Sequence, residues 1–321
     1  MEWVFPAFLA AAAASFGGTR LVLNELQRRA ILDRPNQRSS HDRPIPRGGG
    51  IAVMAVILIC WVAPALASPV TAALLTGACA LAILSWLDDL RSLGIAIRLG
   101  AQFVAAGAGL IFLHGEGLLL QGLVPEWLDR AVTLVLWVWF VNLFNFMDGI
   151  DGIAAVETVI IAAGLALLGL AAPALAPDLW LALSLAAAAL GFLRWNWQPA
   201  KVFLGDVGSI PLGFLLGGLL ILSAMKGAWP TALILPLYFL ADATLTLFRR
   251  ALKREPVWQA HRQHCYQQAV QSGKSHAAVS IAVALAGLGL IGLSYLSIGQ
   301  PTLAIAGALA LVGGLMIWMA R

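Results

Sequence analysis

Long apolar runs separated by short polar breaks dominate the 321-residue chain. A membrane-spanning helix takes about 20 mostly apolar residues, and the breaks contain the charged residues, prolines and glycines that end helices. The first run has no signal-peptide cleavage pattern, so we expect it to be retained as a helix. The pattern predicts eleven spanning helices, at 3–24, 49–66, 69–87, 99–114, 128–146, 153–172, 177–194, 208–225, 229–248, 278–297 and 301–320.

Composition supports the class of protein that this pattern predicts. Hydrophobic residues make up 60% of the chain and charged residues 11%, against roughly 45–50% and ~25% in a soluble domain. Such a chain has too little polar surface to be a soluble globular protein. We therefore expect an all-α polytopic membrane protein in which residues 1–321 form one integral domain, because eleven spans leave no room for a separate soluble one.

The basic residues predict an orientation in the membrane. Alternating spans divide the connections into two sets, and 18 of the 20 Lys and Arg residues fall in one set. Only Arg130 and Lys226 fall in the other. Since cytoplasmic loops carry the excess of cations, we expect the N-terminus outside and the C-terminus in the cytoplasm. The net charge of +4 then requires no nucleic-acid partner.

An acidic pair closes the third predicted span. Adjacent carboxylates such as Asp88 and Asp89 repel each other and resist ionisation unless a cation lies nearby. One interpretation is an acidic stop at the membrane interface that is offset by Arg91. The other is a functional site, since ionisable groups next to spans are candidates for function. The spacing alone leaves both open.

A polar stripe follows the fifth predicted span. Asn142, Asn145, Asp148 and Asp151 recur every three residues, so they share one slowly rotating face while the helix continues. Amide and carboxylate oxygens suit a hard cation such as Mg²⁺ with a phosphate-bearing ligand. A polar turn with a capping Asp is the alternative, but it leaves two asparagines inside an apolar helix unexplained. We favour a site.

A third acidic position opens the eighth predicted span. Asp206 lies among glycines where a helix N-terminus would present free N–H groups to phosphate oxygens. A simple N-cap would explain Asp206 alone. Three acidic clusters on the predicted cytoplasmic side, however, indicate one shared site.

Two cytoplasmic loops carry arginines of open function. In 33–50, Arg43 and Arg47 precede a glycine run and could meet phosphate, or could anchor the loop at the membrane. Near the ninth predicted span, Asp242 could pair with Arg249 in a structural role.

The last cytoplasmic loop has a histidine motif. His261, His264 and Cys265 are one ligand short of a zinc site. Binding of a diphosphate or handling of a proton, together with Arg262, fits better. The plain alternative is a basic loop that touches anionic lipid heads.

Together these motifs resemble the polyprenyl-phosphate N-acetylhexosamine-1-phosphate transferases of glycosyltransferase family 4. This membrane family includes the phospho-MurNAc-pentapeptide translocase and the undecaprenyl-phosphate GlcNAc-1-phosphate transferases. The likeness covers five cytoplasmic motifs in order, between Asp33 and Tyr266. The stretch Asn145–Gly152 is similar to the family's Asn-x-x-Asp-Gly-x-Asp-Gly, and Phe203–Ser209 to its Phe-x-Gly-Asp-x-Gly-Ser.

The resemblance implies roles for the candidate residues. It implies Mg²⁺, with Mn²⁺ as an alternative, as the metal. It also implies that Asp88 takes a proton from the lipid phosphate and that Phe203 stacks on uracil. By resemblance the catalytic residues are Asp88, Asp89, Asp148 and His264, the metal ligands are Asp206 and Asn145, and the substrate-binding residues are Asn196, Phe203, Asp151, Arg43 and Arg262.

The implied reaction joins UDP-N-acetylhexosamine to undecaprenyl phosphate at the bacterial inner (cytoplasmic) membrane and releases UMP, preferably by direct transfer. The run from His261 to Tyr266 replaces the three histidines of the MurNAc-pentapeptide enzymes. It is more similar to enzymes that start O-antigen or related glycans with GlcNAc or a 6-deoxy sugar such as FucNAc or QuiNAc. A homodimer is compatible with the resemblance.

Two other functions remain as alternatives. One is a phospho-MurNAc-pentapeptide transferase. The other is an ion-coupled transporter, although transporters place their coupling carboxylates near the bilayer midplane, on interrupted helices within repeats. Here the acidic residues cluster at the predicted cytoplasmic helix ends, and no internal repeat is evident.

Overall fold

The computed structural model describes residues 2–35, 43–256, 259 and 261–321. Residues 36–42, among them Arg38, lie outside this part of the chain. A short antiparallel sheet pairs β1 (Leu32–Asp33) with β2 (Ile45–Pro46). The described α-helices are α1 Val4–Arg28, α2 Gly50–Ala67, α3 Pro69–Arg91, α4 Ile95–Phe112, α5 Glu126–Phe146, α6 Ile153–Ala171, α7 Leu179–Asn196, α8 Asp206–Ser223, α9 Trp229–Ile234, α10 Leu237–Leu252, α11 Cys265–Gln271, α12 His276–Leu296 and α13 Pro301–Ala320.

The helices confirm an all-α polytopic membrane protein. Ten segments within the described ranges are long and apolar enough to cross a membrane. Nine of them each overlap one predicted span, and Asp206–Ile234 overlaps the eighth and the start of the ninth. The number of crossings and the orientation of the termini stay predictions. The ten segments are Val4–Arg28, Gly50–Ala67, Pro69–Arg91, Ile95–Glu116, Glu126–Phe146, Ile153–Ala171, Leu179–Asn196, Asp206–Ile234, His276–Leu296 and Pro301–Ala320.

The predicted ninth span, 229–248, is wrong as a single helix. Proline lacks the N–H of a helical residue, and its ring clashes with the carbonyl four residues earlier. Helix α9 accordingly ends at Ile234, and α10 begins after Pro236. With 16 residues, α10 is about 24 Å long, shorter than the ~30 Å hydrocarbon core of a bilayer. The segment is therefore built from two short helices.

Arg130 and Lys226 lie at the same end of the helix bundle. At one end Lys226 Nζ lies 3.7 Å from Glu116, and Arg130 donates to the carbonyl of His114 at 2.8 Å. Asp206 begins α8 and Lys226 lies beyond its last residue, so the 18-residue helix separates them by about 27 Å. The two cations that the sequence assigns to one side therefore lie at the end opposite to Asp206.

Helix α8 forms the centre of the bundle, and its apolar spanning window is entirely buried. It packs against α2, α3 and α5. The indole of Trp137 on α5 stacks on Phe214 with ring centroids 4.8 Å apart and donates to its backbone carbonyl at 2.9 Å. Gly50 of α2 meets the backbone of Gly208 directly, because neither residue has a side chain to separate the helices. This close approach fixes the N-terminus of α8.

We expect Gly50→Ala to destabilise the fold. The added methyl group would collide with the Gly208 backbone and approach the Leu204 carbonyl oxygen to 2.8 Å. Overpacking of this kind costs about 1–3 kcal/mol. The free energy of unfolding in mixed detergent micelles measures the loss. Gly100→Ala is the matched control, since its methyl group would meet open space. Equal effects of the two substitutions would contradict the close contact between α2 and α8.

Candidate active site

Backbone hydrogen bonds hold the loop between α1 and α2 against the start of α8. The N–H of Phe203 donates to the carbonyl of Pro46 at 2.8 Å, and the Phe203 carbonyl accepts from the N–H of Gly49 at 2.8 Å. Arg47 lies between these contacts and forms a parallel bridge with Phe203. Because the two loops run side by side, the side chain of Arg47 reaches Asp206 three positions beyond Phe203.

Two arginines join three carboxylates into one ion-pair cluster, defined as Arg47, Arg98, Asp88, Asp89 and Asp206. Arg47 Nη2 lies 2.6 Å from Asp206 Oδ1 and 3.0 Å from Asp89 Oδ1. Arg98 Nη1 lies 3.0 Å from Asp88 Oδ2 and 3.9 Å from Asp206 Oδ2. The structure therefore brings together the predicted acidic pair and the predicted acidic helix start.

Arg98 is the residue that the sequence prediction misses. The sequence suggests Arg91 as the cation that offsets Asp88, but the Arg91 side chain is exposed, and Asp88 pairs with Arg98. Ser92 has a left-handed φ of 52° that ends α3. The following turn brings α4 back beside α3, and the N–H of Leu93 donates to Asp88 Oδ1 at 2.6 Å. Spacing along one helix could not reveal this partner across a turn.

The two predicted asparagines have different partners. Asn145 Nδ2 donates to Asp206 Oδ1 at 3.1 Å and to Ser209 Oγ at 2.8 Å. Its amide oxygen accepts no hydrogen bond from the residues that the structure describes. Asn142 instead donates to Gln102 Oε1 at 2.5 Å. Of the two, only Asn145 therefore adjoins the ion-pair cluster.

Asp148 lies beside the cluster without a direct partner. Its half-buried carboxylate makes no hydrogen bond or ion pair within the described ranges. Burial, followed by repulsion from Asp206, holds the pKa of the Asp148 carboxyl well above its ordinary value, although Arg47 acts in the opposite direction. Within the described ranges neither oxygen of Asp148 is therefore engaged, whereas each carboxylate of the ion-pair cluster has at least one oxygen paired with an arginine.

Arg47, one of the two arginines of the ion-pair cluster, stays charged. Burial lowers the pKa of the Arg47 guanidinium, but the nearby carboxylates of Asp206, Asp89 and Asp33 raise it by more, and the net effect is upward. Arg47 is therefore a permanent cation among the carboxylates.

Asp151 and Asn196 hold loops together. Asp151 Oδ2 accepts from the N–H of Ala200 at 3.0 Å, and its Oδ1 lies 3.2 Å from His276 Nδ1. Asn196 accepts from the N–H of Gly152 and donates to the Val202 carbonyl, both at 3.0 Å. Both ends of the Asn196 amide are therefore used within the protein.

Two cavities adjoin these residues. The first has a volume of about 640 Å³ and is polar at the end formed by Asp88, Arg98, Asn145 and Asp206. Its other walls are mostly apolar side chains of α3, α4, α5 and α10, among them Leu81, Leu84, Ile95, Leu99, Phe103, Val135, Val138, Leu247 and Phe248. Polar Ser85, Gln102, Asn142 and Thr244 line it as well.

The second cavity lies among the loops and has a volume of about 690 Å³. Arg43, Lys201 and Lys274 contribute cations to its wall, and Asp151 and His276 line it as well. Arg43 is exposed. The structure therefore places Arg43 and Asp151, two of the predicted substrate-binding residues, around one space.

Asp242 caps a helix, which corrects the predicted pairing with Arg249. The fully buried carboxylate of Asp242 accepts from the backbone N–H groups of Cys265 at 2.9 Å and Tyr266 at 3.3 Å, at the start of α11. An anion at a helix N-terminus satisfies unpaired N–H groups. Buried His264 has its Nδ1 3.5 Å from Asp242 Oδ1. Neither cavity is lined by His264 in the part of the chain that the structure describes.

The His261 environment resists protonation. Burial, then the neighbouring His264 and Arg250, lower the pKa of His261 to about 4, while Glu255 and Asp242 act in the opposite direction. The ordinary value is 6.5. Between pH 6.5 and pH 4 the unfolded chain therefore binds a proton that the folded chain does not. The contribution of His261 to stability is complete above pH 6.5 and is lost as the pH falls through this window.

We expect His261→Gln to flatten this pH dependence. The thermal unfolding midpoint of the unsubstituted protein should fall between pH 7 and pH 5, and the fall should be smaller in the variant, because glutamine does not titrate. The exposed His114, at the opposite end of the bundle, gives the control His114→Gln. Parallel pH curves for all three proteins would show that His261 is not responsible.

Comparison with known proteins agrees with this architecture. A model of glycosyl transferase family 4 matches residues 71–224. The chain is 31% identical over 261 residues to the probable undecaprenyl-phosphate N-acetylglucosaminyl 1-phosphate transferase of Bacillus subtilis, covering 76% of this chain and 71% of that protein. It is 28% identical to the undecaprenyl-phosphate alpha-N-acetylglucosaminyl 1-phosphate transferase of Yersinia pestis, covering 82% of this chain and 76% of the relative.

A further relative is the phospho-N-acetylmuramoyl-pentapeptide-transferase of Streptococcus thermophilus. It is 34% identical over 179 residues, which cover 51% of this chain and 52% of the relative. The fold and the acidic helix ends thus define a multi-pass membrane protein with a polar site at one end of its helices. The chain belongs to glycosyl transferase family 4, as the sequence motifs predict.

Proposed function

We propose that this protein transfers an N-acetylhexosamine 1-phosphate from a UDP-sugar to a polyprenyl phosphate and releases UMP. The observation that carries the proposal is the first cavity, in which Asp88, Arg98 and Asp206 form a charged end and apolar side chains form the walls. A phosphate on a long hydrocarbon chain has the same division into a charged head and an apolar tail. The Bacillus and Yersinia relatives are named as undecaprenyl-phosphate transferases, which supports undecaprenyl phosphate as the acceptor.

The first cavity suits the lipid substrate. Arg98 is partly exposed, and a guanidinium binds phosphate oxygens through charge-assisted hydrogen bonds. The isoprenoid tail would make van der Waals contacts with apolar side chains such as Val135 and Phe248. Both of these side chains are exposed on the protein surface, where membrane lipid would otherwise cover them. We place the acceptor here.

The second cavity suits the nucleotide donor. Arg43, Lys201 and Lys274 can neutralise a diphosphate. The family resemblance links Asp151 and Asn196 to the uridine nucleotide. Both side chains bind the backbone of the 200–202 loop, which forms or adjoins the wall of this cavity. Phe203 is half-buried on the loop that borders Arg47, and we assign uracil stacking to it.

The residues around Asp206 fit Mg²⁺, with Mn²⁺ as an alternative. Carboxylate and amide oxygens of Asp206, Asp89 and Asn145 are the hard donors that such ions prefer. Asp89 Oδ2 is buried and has no hydrogen-bond partner among the described residues, so it has lone pairs left for a cation. When bound, Mg²⁺ supplies positive charge that stabilises the diphosphate and the departing UMP.

The contacts favour Asp148 over Asp88 as the group that accepts a proton from the lipid phosphate. Both oxygens of Asp88 already accept hydrogen bonds, from Leu93 and Arg98. Asp148 has no such partner within the described ranges, and burial raises its pKa, which favours the protonated form that it would reach on accepting a proton. Asp88 then acts by positioning Arg98. The lipid phosphate attacks the β-phosphorus of the donor directly.

The sugar we propose is GlcNAc or a 6-deoxy-N-acetylhexosamine such as FucNAc or QuiNAc, which would start a bacterial surface glycan at the inner membrane. The basis is the His-Arg-Gln-His-Cys-Tyr run of 261–266 in place of three histidines. The GlcNAc-1-phosphate transferase relatives align over more of this chain than the pentapeptide transferase does, which supports this choice. The exposed Arg262 and buried His264 of this run are assigned to the diphosphate side.

We expect Asp206→Asn to reduce transferase activity by at least about 100-fold, the usual scale for removing one electrostatic contribution to a transition state. UMP release from a panel of UDP-sugars, with undecaprenyl phosphate and Mg²⁺ in nanodiscs, measures it. The control is Asp178→Asn, because Asp178 caps α7 at the opposite end of the bundle and asparagine caps equally well. Full activity of the Asp206 variant, or none of the protein itself with any donor, would overturn the proposal.

We expect Val135→Trp to weaken binding of long acceptors selectively. The larger side chain would occupy part of the first cavity and displace the isoprenoid tail. The KM for undecaprenyl phosphate should rise about fivefold, which corresponds to about 1 kcal/mol of lost contact with the tail. The KM for a short prenyl phosphate should not change. Val104→Trp on exposed α4 surface outside the cavity is the control. An equal rise for both acceptor lengths would place the tail elsewhere.

A further inference from the structure

Arg47 occupies the point at which the carboxylates converge. One of its terminal nitrogens, Nη2, contacts both Asp206 and Asp89, which come from different helices. Within the residues that the structure describes, no group of three or more His, Cys, Asp or Glu side chains is arranged to hold a metal ion. A guanidinium therefore stands between the oxygens that we assign to a divalent cation.

The side chain of Arg47 can leave this point without unfolding the loop. Backbone bonds of Pro46, Gly48 and Gly49 to Phe203 fix the loop on both sides of Arg47. The Arg47 side chain itself is 37% exposed, whereas that of Asp89 is 6% exposed. The backbone of Arg47 is fixed and its side chain is long and flexible, while the buried carboxylate of Asp89 cannot turn towards water.

The carboxylates require one cation or another. Asp89 is buried, and its Oδ2 has no partner among the described residues even with Arg47 in place. Removing the positive charge from a buried ion pair leaves an uncompensated anion, which is strongly unfavourable. A divalent cation could contact oxygens of both Asp89 and Asp206, including the oxygen that Arg47 leaves unpaired. Arginine and metal would then compete for the same oxygens.

We propose that Arg47 is an exchangeable counter-ion: it holds Asp89 and Asp206 together without metal, leaves them when a divalent cation binds, and then binds phosphate oxygens of the donor. This inference rests on the proposed function and adds that binding of the metal depends on binding of the donor. Metal alone must displace Arg47 and therefore binds weakly. Donor and metal together bind more tightly, because the released guanidinium gains a new anion, and the coupling between the two ligands is reciprocal.

The test is Mn²⁺ binding to the full chain in nanodiscs without donor, measured by the electron paramagnetic resonance of free Mn²⁺. We expect Arg47→Gln to lower the Kd for Mn²⁺ about tenfold, because no guanidinium has to be displaced. Arg98→Gln controls for the loss of one charge near Asp206, and Arg43→Gln for the loss of one on the same loop. We expect changes of less than about threefold in both controls. An effect of Arg47→Gln no larger than that of Arg98→Gln would overturn the proposal.

A second variant covers the case in which Arg47→Gln does not fold. Arg47→Lys keeps the charge but places it on a compact, more strongly hydrated ammonium, so we expect its Kd for Mn²⁺ to lie between those of the other two proteins. An unchanged Kd in a folded Arg47→Lys protein would count against exchange.

The effect of the donor on the Kd for Mn²⁺ is the last measurement. A saturating UDP-sugar should tighten Mn²⁺ binding to the unsubstituted protein, and the gain should be smaller in Arg47→Gln or Arg47→Lys. An equal gain in all proteins would overturn the assignment of Arg47 to the donor phosphates. Absence of Mn²⁺ binding in every protein, with transfer that persists in a chelator, would instead refute the metal requirement of the proposed function.

Discussion

The pairing of arginines with carboxylates at the ends of apolar helices is the interaction on which the site depends. Ionised groups next to a membrane are unfavourable unless they are paired or solvated. Here Arg47 and Arg98 compensate Asp88, Asp89 and Asp206. Without these cations, three carboxylates from two helices would repel each other and could not lie together. The same charges, held at the edge of the membrane, can attract a phosphate and a metal ion.

The fold supplies this cluster through a rigid centre. Helix α8 is surrounded by other helices, so Asp206 at its start has little freedom. Contact of the Gly50 and Gly208 backbones fixes α2 against α8, and pairing of the 46–49 loop with Phe203 then sets the position of Arg47. Helices α3 and α4 add the acidic pair and Arg98 from the other side. Residues far apart in sequence therefore meet at one end of the bundle.

The sequence predicts the parts of the fold that depend on local composition. Apolar runs locate the spanning helices, and three acidic motifs locate the residues that converge around Asp206. It fails where the outcome depends on what packs nearby. Pro236 breaks a helix that hydropathy alone would continue. Arg98 replaces Arg91 as partner of Asp88 because a turn reverses the chain.

Prediction from sequence also fails for the loop between α10 and α11, because the contacts there depend on packing. Asp242 looks like a partner for Arg249 along one helix, yet it caps α11, whose docking cannot be inferred from spacing. His264 follows from the family motif, but the structure buries it beside Asp242. Short motifs therefore indicate candidate residues, while the contacts among loops decide where their side chains lie.

The central claim is that the oxygens around Asp206 form the metal-dependent centre of a membrane transferase. The most direct test is the anomalous X-ray signal of Mn²⁺ in crystals of the protein grown with Mn²⁺ and a UDP-sugar. The account predicts one anomalous peak in coordination contact with Asp206, with the donor diphosphate beside it. A peak at the histidine run 261–266, or a bound donor with no peak near Asp206, would contradict it.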